Sequence, residues 1–227
     1  MSAVRAKKNP GSAKPTSSDA VATWVRERIR RGRLVPGQRL VEADVIAQTG
    51  ASRGKVREAL QRLQAEHLVT IEEFRGASVR QIGPQELHHI YRTRMVLEGL
   101  AAAEFAAADA PELKQRLQKL QDEMDRWREN GGHDRFAELN SQWHELIALG
   151  SGNTWLIQFL PSLTIPIYRL LFSSFYTDRR VDEANADHRK ITAAIIDERA
   201  ADAERAMREH ISAGLTGVSE LSARFID

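Results

Sequence analysis

Between Glu42 and Arg80 the chain reads as two short helices and a hairpin in close succession, and this order restricts the fold more than any other feature of the sequence. Residues 42–48 turn Val45 and Ile46 toward a core and stop at Gly50, where a positive φ closes a helix without steric cost. Ser52 stands at a capping position, and Val56, Leu60 and Leu63 then recur on one face of a second helix. Arg53, Lys55 and Arg57 crowd the first turn of that helix, where the helix dipole favours acids. An anionic partner for these side chains resolves the conflict. Two β-favouring runs, Leu68–Ile71 and Ala77–Arg80, flank Glu72-Glu73-Phe74-Arg75-Gly76 and predict a hairpin. A further helix from Asp19 to Gly32, carrying Val21, Val25 and Ile29, precedes the turn at Pro36-Gly37. The resulting order, helix, helix-turn-helix, hairpin, is that of a winged helix-turn-helix, which lays the second helix of its pair in the major groove of DNA.

Charge follows the same division. Residues 1–80 carry 16 Lys+Arg against 8 Asp+Glu, and the remainder carries 17 against 23, so a net charge of +2 conceals a basic segment of +8 and an acidic one of −6. The basic segment is the candidate for nucleic acid. Residues 1–18, rich in Lys, Ser, Pro and Ala, read as a disordered basic tail. The expected domains are 19–82, which binds DNA, and 83–227, which is all-helical. With no run near the about 18 apolar residues of a membrane helix, the expectation is a soluble cytoplasmic protein. The absence of cysteine leaves only nitrogen and oxygen ligands for any metal.

The run PGQRLVEADVIAQTGASRGKVREALQRLQAEHLV, residues 36–69, resembles the DNA-binding signature of GntR-family regulators. It departs from that signature at Lys55, where proline is common, and at His67, where glycine often precedes the Leu-Val pair. The resemblance implies DNA contacts by Arg53, Arg57 and Gly76. Position and charge add Ser52, Lys55 and Arg75. Glu58 is read as orienting an arginine rather than meeting DNA.

Beyond Pro84 strand signals give way to helical periodicity, broken near 110, 131, 150–153, 177 and 199. Six helices are expected, at about 85–108, 111–130, 133–149, 154–176, 178–198 and 201–222, forming an antiparallel bundle, with Pro161 and Pro166 kinking or splitting the fourth. The fold class is thus mainly α, an N-terminal winged helix-turn-helix followed by a six-helix bundle. Polar residues interrupt the apolar stripes. Arg94 falls among Leu87, Ile90, Leu97 and Ala101, with Glu98 four residues on as an internal partner and a ligand carboxylate as the alternative. Asn140 lies within Phe136, Leu139, Trp143 and Ile147, with His144 one turn later. His188 interrupts Ala184, Ile191 and Ile195, and His210 sits beside Ile211. If the last two helices turn near Arg199, His188 and His210 each lie 11 residues from the turn, roughly 16 Å along their helices, and face each other.

The segments FAELNSQWHELIALGSGNTWL, DHRKITAAII and MREHI resemble the FCD ligand-binding domain of the FadR branch of that family. In its metal-binding members an Asp and three His hold a divalent cation, at positions matching Asn140, His144, His188 and His210. Asn140 replaces the Asp with a neutral, weaker ligand. Two readings stay open, a divalent metal of zinc or nickel type on these four residues, or a metal-free polar pocket that binds an anion through the histidines. Under either reading Arg94 holds a carboxylate. The resemblance implies a homodimer on a partly palindromic double-stranded operator, a repressor released by a small organic acid, with no membrane partner. Two rivals are an architectural DNA-binding protein whose bundle only dimerises, and a metallohydrolase using the histidines. His144-Glu145 opens a zinc-protease motif, but Ala148 stands where its second histidine belongs.

Overall fold

A computed structural model describes residues 17–127, 129, 132–164 and 177–223, so the expected tail lies outside the described residues. Helix α1 (Ser18–Arg30) starts one residue before the expected Asp19, because Ser17 is its cap and accepts a hydrogen bond from the Ala20 amide at 3.1 Å. It buries Val21, Ala22, Val25 and Ile29. Helix α2 (Glu42–Thr49) ends on Gly50 at φ 71°, as the sequence required. Helix α3 (Arg53–Ala65) buries Val56, Ala59, Leu60 and Leu63. Ser52 occupies its N-cap position with extended backbone, but its hydroxyl makes no capping hydrogen bond.

The hairpin is present as β2 (Val69–Glu72) and β3 (Gly76–Val79), with Val69 opposite Val79 and Glu72 opposite Gly76. A strand absent from the sequence reading, β1 (Arg39–Leu40), pairs antiparallel with β3 and makes β3 the centre of a three-stranded sheet. Two residues following a Pro-Gly turn carry no periodicity, so only the hydrogen-bonding capacity of β3 selects them. At the hairpin tip Phe74 adopts φ 62° and is 97% exposed.

After residues 80–83, helix α4 (Pro84–Ala107) follows the sheet, and then come α5 (Pro111–Asp125), α6 (Gly132–Gly150), α7 (Thr154–Phe159), α8 (Asp178–Ile196) and α9 (Ala200–Ala223). Proline opens both α4 and α5, where its missing N–H costs nothing. The helix expected over 154–176 stops as α-helix after Phe159 and tightens into a 3₁₀ turn at Leu160–Leu163, which contains Pro161; Pro166 lies outside the described residues. The chain is mainly α. Trp143, Phe105, Phe136, Leu139 and Ile147 are fully buried at the centre of the bundle, where α6 packs between α4, α5 and α8. A polar knot crosses α5 and α8: Gln121 Nε2 donates to Asn185 Oδ1 at 3.0 Å and Asn185 Nδ2 to Asp125 Oδ1 at 2.9 Å, satisfying groups that burial would otherwise penalise. Between α1 and α6, Arg30 Nη1 meets Asp134 Oδ2 at 2.5 Å.

Gly150 ends α6 against the ring of Phe105, and a β-carbon built there would lie 2.4 Å from two ring carbons. Because Phe105 is fully buried and cannot swing away, Gly150→Ala is expected to destabilise the protein by about 2–3 kcal/mol through overpacking. A thermal melt should show a fall in midpoint of roughly 4–12 °C.

A basic helix face and an imidazole-lined cavity

The six residues assigned to DNA all lie exposed, and they come from two places: Ser52, Arg53, Lys55 and Arg57 at the N-terminal end of α3, Arg75 and Gly76 at the hairpin. Helical spacing puts Arg53 and Arg57 on one face. The acid that meets them is Glu42 at the start of α2, with Oε1 2.8 Å from Arg57 Nε and Oε2 3.3 Å from Arg53 Nε. Glu58, to which the sequence reading gave this role, is exposed on α3 and makes neither contact. The reason is topological, since the tight turn at residues 50–52 folds the first turn of α2 over the first turn of α3, a juxtaposition that local spacing cannot show. Arg75 pairs with Glu72 at 3.2 Å across the hairpin.

The second site is a cavity of about 640 Å³ inside the helical bundle. Its walls come from α4 (Tyr91, Arg94, Glu98), α6 (Asn140, His144, Glu145), α8 (Arg180, Asp187) and α9 (His210, Gly214). All the polar residues picked out of the apolar stripes therefore gather here except His188, which lies just behind the wall and is fully buried. Its Nε2 is 3.2 Å from His210 Nε2, as the hairpin arithmetic for α8 and α9 required. Phe136 stacks on its ring at 5.9 Å between centroids, and Trp143 lies against it at 4.5 Å. One ligand atom from each of His144, His188 and His210 falls within 4.8 Å of the others.

These residues fit a divalent cation. Two nitrogens bound to one tetrahedral zinc at about 2.0–2.1 Å stand roughly 3.3 Å apart, close to the His188–His210 separation. The same separation also suits one ring donating to the other when no cation is held. Behind His210, Asp187 Oδ2 approaches Nδ1 at 3.8 Å, and behind His144, Glu98 Oε2 approaches Nδ1 at 2.6 Å, too obliquely for a hydrogen bond. These carboxylates place negative charge beside the two imidazoles, where the outer-shell partners of metal ligands stand, without a hydrogen bond that would fix ring orientation. The Nδ1 of His188, like that of His144, is buried without a hydrogen-bond partner among the described residues.

Electrostatics sharpen the picture. Burial pushes Glu98 toward the neutral form, but the Arg94 guanidinium and His144 outweigh it and hold the carboxyl well below the usual carboxylate range. Arg94 Nε donates to Glu98 Oε1 at 2.7 Å, so the internal partner foreseen for Arg94 exists, and Arg94 still lines the cavity. Burial, reinforced by His210 and His144, drives His188 well below its ordinary value of 6.5, and burial also lowers His210 against the opposing pull of Asp187. Both rings fold neutral but take protons when unfolded, so they contribute stability that is whole above pH 6.5 and is lost as the pH falls below it toward the folded values. In chelator, the melting midpoint is expected to drop as the pH goes from 7.5 to 5, and the drop should shrink in His188→Gln.

Arg180 was not singled out in the sequence, and among the described residues it joins Arg94 as a cation of the cavity. Its Nη2 donates to the Ala213 carbonyl, and Gly217 makes room for it, since a β-carbon there would lie 2.9 Å from Arg180 Nε. Within DRRVDEANADHRK it looks like any solvated helix charge, and only the packing of α8 on α9 turns it inward.

No helix among the described residues is long and apolar enough to cross a membrane. In comparison with known proteins, residues 17–79 match the profile of bacterial regulatory proteins of the gntR family, and residues 89–213 match the FCD domain. The chain is 28% identical over 208 residues to the "Probable D-xylose utilization operon transcriptional repressor" of Paenarthrobacter nicotinovorans, covering 90% of this chain and 91% of that one. It is 26% identical over 206 residues to the HTH-type transcriptional repressor GlaR of Escherichia coli, covering 83% and 89%. Among solved structures, E. coli McbR/YncC superposes with a TM-score of 0.65 at 20% identity, over 92% of this chain and 98% of that one. The fold, the basic helix-turn-helix and the helical cavity thus meet in one assignment: the chain belongs to the gntR family of bacterial regulatory proteins, DNA-binding transcription regulators rather than enzymes, and carries an FCD domain.

Proposed function

We propose that the protein is a homodimeric repressor, working in the cytoplasm, that leaves its operator when a small organic acid enters the bundle cavity. Residues 19–82 bind DNA and residues 83–227 sense the acid and dimerise. The observation that carries the reading is the cavity itself, a chamber of about 640 Å³ on which Arg94, Arg180, His144 and His210 converge, with His188 clustered behind its wall. Among the described lining residues Arg94 and Arg180 face Glu98, Glu145 and Asp187, a net −1 with neutral histidines. An acid alone enters against that charge. His144, His188, His210 and Asn140 would hold a divalent cation, which supplies positive charge and a coordination position for the acid's oxygen. Asn140 lines the same cavity as a neutral donor. For dimerisation, Val96 and Leu100 stand one turn apart, exposed on α4, as apolar surface for a second copy.

In this mechanism Ser52, Arg53, Lys55, Arg57, Arg75 and Gly76 meet the duplex, phosphate contacts fixing register and arginine contacts reading bases. The acid changes the spacing of the two α3 helices, and only one spacing fits both half-sites. The test is operator binding by fluorescence anisotropy, on DNA enriched by in vitro selection, across a panel of small carboxylates with and without zinc or nickel. Release by at least one acid, stronger with metal, is expected. Operator affinity unchanged across the whole panel would favour the architectural reading, which the existing Arg94–Glu98 pair at 2.7 Å supports.

A further inference from the structure

Two arginines placed four residues apart at the start of a helix repel each other and oppose the helix dipole. In this protein one carboxylate answers both. Glu42 is the first residue of α2, where its own helix dipole favours an acid, and it reaches Arg57 Nε with one oxygen at 2.8 Å and Arg53 Nε with the other at 3.3 Å. The acid is the sheltered member, 29% exposed against 69% for Arg53 and 62% for Arg57. It therefore works as an anchor from which two cations project. In both contacts it takes the Nε edge, and the terminal Nη pair of each guanidinium is the edge that reads O6 and N7 of guanine.

We infer that Glu42 is a positioning residue for DNA recognition: it holds Arg53 and Arg57 in a reading posture before the duplex arrives, and its negative charge at the DNA face weakens binding to any sequence at all. This inference rests on the assignment of Arg53 and Arg57 to the DNA interface. Preorganisation favours the right sequence, because the arginines lose less freedom on meeting it. The charge acts on every sequence alike. Glu42 thus trades overall affinity for discrimination.

The two effects separate in Glu42→Gln, which keeps the size of the side chain and removes its charge. With full-length protein and an operator selected by the wild type, affinity for random-sequence DNA is expected to rise about 2–5-fold, as one repelling charge leaves the interface. Operator affinity should fall about 5–10-fold as the arginines lose their anchor. Glu42→Asp, which keeps the charge but is too short to span both guanidiniums, should lose operator affinity without gaining random-sequence affinity. A purely structural role lowers both affinities together, and a purely repulsive one raises both; either result overturns the inference. If the wild type selects an operator and the ratio of the two affinities is unchanged in both variants, Glu42 is no positioning residue, while the DNA-binding assignment stands. If Arg57→Ala binds the operator like wild type, the interface assignment itself has failed.

Discussion

Arg57→Ala is expected to weaken operator binding by about 5–150-fold, which is the roughly 1–3 kcal/mol that one bidentate arginine–guanine contact carries. The residue projects from the first turns of α3, is 62% exposed, and pairs with the part-exposed Glu42, so truncation is expected to leave the fold intact and the loss is read at the interface. The signature goes beyond affinity. Selection of DNA with the variant should return the same motif relaxed at one position, since a base contact specifies and a phosphate contact does not. Lys55→Ala should behave in the opposite way, leaving the motif unchanged while the slope of log affinity against log salt falls by about one. A variant Arg57→Ala that lost affinity for all sequences equally would mark the arginine as a phosphate ligand.

The other large effect lies in the cavity. His188→Ala should lower affinity for zinc or nickel by more than about 100-fold, exceeding the 10–100-fold that outer-shell partners carry, because a ligand atom itself is removed. Elemental analysis of protein purified without chelator or histidine tag gives the first answer, and a chelator competition gives the ratio. His188 is fully buried against Phe136 and Trp143, so its truncation also opens the core. His144→Ala provides the control. That side chain forms the cavity wall at 15% exposure, and its loss should abolish metal binding with a smaller effect on the metal-free melt. Metal at 100 times its dissociation constant should stabilise the wild type by about 2.7 kcal/mol and neither variant. Wild-type protein that carries no metal and binds none would direct attention to anions held by Arg94 and Arg180 alone.

The parts of this molecule legible in the sequence are those written in short-range periodicity. The stripe Phe136, Leu139, Trp143, Ile147 is buried as its spacing demands, and the equal offsets of His188 and His210 from the turn at Glu198–Arg199 bring their rings together. What was not legible is set by packing between elements distant in sequence. Strand β1 exists because β3 has an open edge. Arg180 enters the cavity because Gly217 leaves space on α9. Glu42, rather than Glu58, meets the arginines because one turn of α2 lies over one turn of α3. In each case the residue type was unremarkable and its partner lay elsewhere in the chain.

The joint between sheet and bundle carries a mechanical consequence. Strand β3 ends at Val79, residues 80–83 connect it to α4, and Ile82, buried two residues before Pro84, pins that connection to the core. Arg94 lies ten residues into that helix, about 15 Å from its start. The helix that lines the chamber is therefore also the shaft on which the wing is mounted, with its fulcrum at Ile82–Pro84. If the proposed acid tilts α4 at Arg94, a connection of only four residues, pinned to the core at Ile82, passes that tilt outward to the angle at which α3 is presented.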